Sequence, residues 1–118
     1  MHLVRARRNT QIPSPWVLLQ VFTDEGLVGL GDATNGPGGT IIRQAIEELS
    51  RLVIGENPFH IECLYHRMYQ RPDQIGQAGA IIAAISGIEI ALWDIVGQAV
   101  GQPIYNLQRG PCRDQVRV

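Results

Sequence analysis

Apolar and polar positions along this chain follow two different periods, and the change from one to the other divides it. Residues 3–8 alternate loosely and predict a short edge strand. Residues 9–15 are polar and carry two prolines, so they read as a loop. Residues 16–23 are rich in branched and aromatic side chains and predict a strand. Asp24, Glu25 and Gly26 then form a tight turn, with Gly26 free to take a positive φ, and residues 27–31 return as the partner strand. Beyond a glycine-rich stretch at 34–39 (TNGPGG) the period lengthens. Ile42, Ala45, Ile46, Leu49 and Val53 share one face of a helix over 40–53, which Gly55 stops. Asn57 as cap and Pro58 in the first turn open a second helix with Ile61, Leu64, Tyr65 and Met68 on one side. A polar loop at 71–77 precedes a long helix over 80–100, ended by Gly101. Pro103 starts a short helix through Leu107, and residues 115–118 turn strand-like. Strands first and helices afterwards make an α+β fold.

The long helix is the anomaly. It is apolar on almost every side, interrupted only by Ser86, Gly87, Glu89, Asp94 and Gly97. A helix on the surface of a 118-residue domain should keep a polar face. At about 25 cal/mol per Å² of apolar surface, leaving several isoleucine-sized faces wet forfeits several kcal/mol. A further partner surface is therefore expected against it, and a buried helix explains the run better than a membrane span.

Composition narrows the chemistry. With 45% hydrophobic residues, 18% charged and a net charge of -1, the chain is globular, and nothing in the balance favours nucleic acid or an anionic membrane. All ten basic residues are arginines, which removes Schiff-base chemistry and any lysine base. Cys63 and Cys112 form no CxxC pair and read as reduced thiols, which suits the cytoplasm. His60 and His66, six apart, do not share a helix face as a metal pair. Glu62 and His66 read as a solvated pair. Glu89 and Asp94 are expected to be structural, hydrogen-bonded to backbone or arginine. No set of hard oxygen ligands for magnesium converges by spacing. TNGPGG lacks the lysine and the spacing of a phosphate loop. Arg5, Arg7 and Arg8 form the only basic cluster, read as an exposed edge strand, with anion steering as the sharper alternative and nucleic-acid binding behind it.

Four segments carry a resemblance, in order along nearly the whole chain. They are VFTDEGLVGLGDAT, VIGENPFHIECLYHRMY, AISGIEIALWDIVGQAVGQPIYNLQRG and the tail RDQVRV. Together they resemble the N-terminal capping domain of the enolase superfamily, in its mandelate racemase and muconate lactonizing enzyme branch, and most closely its sugar-acid dehydratases. Asp32 stands where members often have glutamate, and Gln98 where they often have lysine.

The resemblance implies a three-stranded antiparallel meander followed by a helical bundle. It makes residues 1–113 a lid and residues 114–118 the start of the first strand of a (β/α) barrel. It also implies a magnesium-dependent acid-sugar dehydratase, with a racemase or cycloisomerase as the alternative. That reaction abstracts a proton next to a carboxylate and passes through an enediolate, with the metal ligands and bases on the barrel and none in this chain. The lid would close two loops, 9–15 and 32–39, over a small acid-sugar or hydroxy-acid substrate. Asn9, Gln11, Thr34 and Asn35 would recognise hydroxyls, Asp32 would stand beside them, and Trp16 would wall the pocket. Arg7 or Arg8 would serve as charge partner. The expected partners are the chain's own barrel and further copies of itself. The 118 residues alone are expected to be inactive. A free-standing binding or assembly module of the same fold is the reading from another class.

Overall fold

The structure, a computed structural model, describes residues 1–8, 16–36, 39–70, 79–113 and 115, with the side chains of residues 5, 7 and 8 left aside. Three strands, β1 (Leu3–Arg8), β2 (Leu18–Thr23) and β3 (Val28–Asp32), form an antiparallel sheet in the order β1-β2-β3. Four helices follow: α1 (Gly39–Val53), α2 (Ile61–Gln70), α3 (Ala80–Val100) and α4 (Ile104–Leu107). The meander and the helices after it are the expected architecture. The expected loops at 9–15 and 71–77 lie outside the described residues, as do residues 116–118 of the strand-like tail expected at 115–118, while Gln115 is not in a strand.

Local chemistry fixes the first hairpin. Gly26 takes φ 86, and the Thr23 hydroxyl both accepts from the Leu27 N–H at 3.0 Å and donates to the Leu27 carbonyl at 3.2 Å. Thr23 is buried, so these bonds satisfy a polar group that water cannot reach. Beside the turn, Asp24 accepts from the His2 N–H at 2.8 Å. The start of β1 is also stitched to the α1–α2 connection: Leu3 donates to the Glu56 carbonyl at 3.0 Å and accepts from the Gly55 N–H at 2.7 Å. Glu56 in turn holds Arg67 of α2 at 2.6 Å.

One helix boundary differs from its sequence reading. Asn57 caps a turn, not a helix: its Oδ1 accepts from Phe59 N–H at 3.0 Å, and its carbonyl from His60 N–H at 3.1 Å. Helix α2 starts only at Ile61, because the Asn-Pro pair closes its own loop first. Its Ile61, Leu64 and Met68 point inward as expected.

Helix α3 is the centre of the domain, packing against β3, β2, α1, α2 and α4. Its contact with β3 is backbone to backbone. Alternation along β3 turns Gly29 and Gly31 toward the helix. A Cβ on Gly29 would run into the Ala91 carbonyl oxygen, and one on Gly31 into that of Gly87. From the helix side, a Cβ on Gly87 would stand 2.7 Å from both the Ala33 Cβ and a Leu19 methyl. Ile85, Ile88, Leu92 and Ile95 fill the core behind this contact. The helix is not wrapped on all sides: Ile90 is 45% and Val100 46% exposed.

Two outcomes follow. Gly31→Ala should destabilise the domain by about 3 kcal/mol, because neither backbone can retreat, whereas Gly26→Ala, a case of positive φ alone, should cost about 1 kcal/mol. Urea midpoints that rank the pair the other way would contradict the packing. The second outcome concerns acid. The His2 N–H hydrogen bond, the largest influence, holds the Asp24 carboxyl below its ordinary range. A lowered carboxylate pKa gives stability that is present above the unfolded value and lost as pH falls through the folded one. Urea melts from pH 6 down to about pH 3 should show the parent losing ground to Asp24→Asn below roughly pH 4.

Candidate functional site: a depression where the third strand ends

Strand β3 is an edge strand, and α3 covers its open side with side chains. Asp94 Oδ2 accepts from the Leu30 N–H at 2.8 Å, and Gln98 Nε2 donates to the Val28 carbonyl at 2.8 Å. An acceptor and a donor four residues apart on the helix thus meet groups two residues apart on the strand. The spacings agree because four helical residues rise about 6 Å and two strand residues about 6.7 Å. The same ridge continues through Ile90 to Ser86, and β3 ends at Asp32. There the strand stops and the seam opens.

An open depression of about 430 Å³ lies at that point. Asp32, Ala33, Thr34 and Asn35 line one side; Gly79, Ile82, Ala83 and Ser86 of α3 and its start line the other. The strand side is held in shape by three bonds. Ala33 donates to the Val17 carbonyl at 2.9 Å, and Val17 N–H donates to Thr34 Oγ1 at 2.9 Å. Asp32 Oδ1 accepts from the Thr34 N–H at 2.8 Å, an Asx turn. Asp32 Oδ2, the Thr34 hydroxyl proton, the Asn35 amide and the Ser86 hydroxyl make no hydrogen bond among the described residues. The wall therefore presents neutral hydrogen-bonding groups and one carboxylate above an apolar floor of Ile82 and Ala83.

Of the residues singled out in the sequence, Asp32, Thr34 and Asn35 converge here. Trp16 is 59% exposed, does not line the depression and is not a core residue. Asn9 and Gln11 lie outside the described residues. Sequence reasoning missed the α3 side altogether. Its signal was the Ser86–Gly87 break in an apolar run, which only the pairing with β3 explains.

Elsewhere two acidic residues of α3 are occupied. Asp94 holds backbone as expected, while Glu89 accepts from Trp93 Nε1 at 3.4 Å rather than from backbone or arginine. Among the described residues no three His, Cys, Asp or Glu side chains gather as a metal site. Cys63 and Cys112 are free and exposed.

Residues 2–108 match the N-terminal domain of mandelate racemase and muconate lactonizing enzyme. The chain belongs to that family, within the enolase superfamily. A D-xylonate dehydratase of Haloferax volcanii is 46% identical over 105 residues, spanning 88% of this chain and 25% of that protein. A D-galactonate dehydratase of Verminephrobacter eiseniae is 37% identical over 107 residues, 91% of this chain and 28% of that one. A crystal structure from Agrobacterium radiobacter, described as an enolase with bound sodium and L-malate, superposes with a TM-score of 0.90 at 27% identity. It matches 100% of this chain with 30% of its own. The chain thus spans between a quarter and a third of the length of these relatives.

Since Asp94 closes a strand edge, its loss should register in stability. Asp94→Ala should lower the urea midpoint by an amount worth about 1 kcal/mol, reduced from the value of a buried charged bond because Leu30 is exposed. Retention of the full midpoint would mean that the edge is held by backbone packing alone.

Proposed function

We propose that this chain is the substrate-capping lid of an acid-sugar dehydratase whose catalytic groups stand on a separate (β/α) barrel, residues 114–118 leading into its first strand. The observation that carries the reading is the depression. It brings Asp32, Thr34, Asn35 and Ser86 together with unspent hydrogen-bonding capacity, and among the described residues no paired acid and base and no cluster of metal-ligating side chains lines it. Such a surface can bind and orient a polyhydroxylated molecule but has nothing with which to move a carbon-bound proton. The dehydratases similar to it act on sugar acids by name, which supplies the substrate class.

In this reading the chain does three things. The Thr34 hydroxyl and the Asn35 amide orient the far end of the substrate. Ile82 and Ala83 exclude water from the side of the carbon skeleton, and the bonded corner at Val17, Ala33 and Thr34 keeps the recognition groups in place during closure. Magnesium in the intact enzyme would stabilise the enediolate from ligands on the barrel. The exposed Ile90 and Val100 on α3 are where part of the barrel would lie. The free thiols are compatible with work in the cytoplasm.

The test is a transplant. A hybrid in which residues 2–108 replace the corresponding segment of the Haloferax enzyme should melt cooperatively and dehydrate an acid sugar in the presence of magnesium, while the 118-residue chain alone should show no turnover. Activity of the isolated chain, or a well-folded hybrid inert toward every acid sugar offered, would sink the lid assignment.

A further inference from the structure

We infer that Asn35 is a site of spontaneous covalent modification, at which the Gly36 backbone nitrogen displaces the side-chain amide and a carboxylate is left in the depression. Nothing in this step depends on what the lid closes over.

The reaction is intramolecular, so the reacting groups are always near each other. The Gly36 nitrogen attacks Asn35 Cγ, and the bond from Cγ to Nδ2 breaks. Ammonia leaves, carrying the proton that the backbone nitrogen gives up. What remains is a cyclic imide, which water opens at either of its carbonyl carbons. Opening at Cγ gives aspartate. Opening at the backbone carbonyl gives isoaspartate, whose main chain runs through Cβ and Cγ. Water is the only reactant consumed, and nothing is oxidised or reduced.

The chain has four asparagines, followed by Thr10, Gly36, Pro58 and Leu107, and sequence and fold together rank them. Pro58 carries no N–H, so its nitrogen cannot close the ring, and Asn57 Oδ1 already accepts from the Phe59 N–H at 3.0 Å. Asn106 lies within α4, where closing the ring would force it out of helical ψ, and its Nδ2 donates to Gln102 Oε1 at 3.1 Å. Asn9 lies outside the described residues, and the branched Cβ of Thr10 crowds the nitrogen that would attack it. Asn35 is followed by the one residue with no side chain to shield its nitrogen. Asn35 and Gly36 are both exposed and stand outside the strands and helices, so water reaches the imide and no regular backbone resists its formation.

The position gives the modification its consequence. Thr34 is bonded to Val17 and to Asp32, so Asn35 is the first residue beyond the held corner, and the sheet survives its conversion. Both products add a carboxylate to a wall that already carries Asp32, and the net charge of the chain moves from -1 to -2. The depression therefore becomes more acidic as the molecule ages.

The experiment keeps the 118-residue chain in warm, mildly alkaline buffer and follows it by ion exchange and peptide mass mapping. A species more acidic by one charge should accumulate. Its Asn35 peptide should be one mass unit heavier, and part of it should accept methyl groups from an isoaspartate methyltransferase used as reagent. The rate should fall in mildly acidic buffer, because the attacking nitrogen must lose its proton. Asn57 and Asn106 should remain unmodified while half of Asn35 is converted, and fresh and aged protein should share one urea midpoint. Asn35→Gln replaces an exposed side chain, so it should fold as the parent does, and its longer side chain should abolish the acidic species. An acidic species that still forms in Asn35→Gln overturns the inference. So does conversion of Asn35 in the folded parent that is no faster than that of Asn57 or Asn106.

Discussion

The domain depends on how closely α3 approaches β3. Two backbones meet there with no side chain between them, since Gly29 and Gly31 on the strand face the carbonyls of Ala91 and Gly87 on the helix. Close approach is what lets the short side chains of Asp94 and Gln98 reach over the strand edge and bond Leu30 and Val28. A larger residue at any of the three glycines would lift the helix away. The edge bonds would then lengthen, and the two sides of the depression would move apart. Packing, edge protection and the shape of the depression are thus one constraint seen at three places.

Much of this was legible in sequence, and for a common reason. The turn at Gly26, the inward faces of α1 and α2, and the full span of α3 with its stop at Gly101 are local patterns, set by period and by backbone freedom. The apolar excess of α3 also pointed correctly to an uncovered face, now visible at Ile90 and Val100. The α2 start was misplaced because Asn57 and Pro58 satisfy both a helix cap and a self-contained turn, and sequence does not rank the two. The strand side of the depression was found because Asp32, Thr34 and Asn35 are consecutive polar residues after a hairpin. The α3 side was not, because Ser86 comes to line the same depression as Thr34 only through the pairing of helix and strand. No linear pattern carries that match.

The acidic residues show why such a domain reads as a recognition surface. Asp24 is held by the His2 N–H, Glu48 by Arg51, Glu56 by Arg67, Glu89 by Trp93 and Asp94 by the Leu30 N–H. Each of these five carboxylates has a structural occupation at its own place in the fold. Asp32 is the one that keeps an oxygen toward the depression, and a single carboxylate with no basic neighbour among the described residues lacks the second group that acid-base chemistry needs.

The position of the depression follows from the same seam. While β3 lasts, its edge groups consume the polar side chains of α3, Gln98 at Val28 and Asp94 at Leu30. Past Asp32 the chain turns back toward Val17, and the next ridge positions on the helix have no strand edge left to cover. Ile90 remains exposed and Ser86 remains without a partner among the described residues. A helix longer than the strand it guards must leave unspent groups beyond the strand's end. In this fold those groups face the corner that Thr34 and Asp32 hold rigid. The depression lies at the point where structural bonding runs out, and its chemistry is set by the residues the ridge carries there.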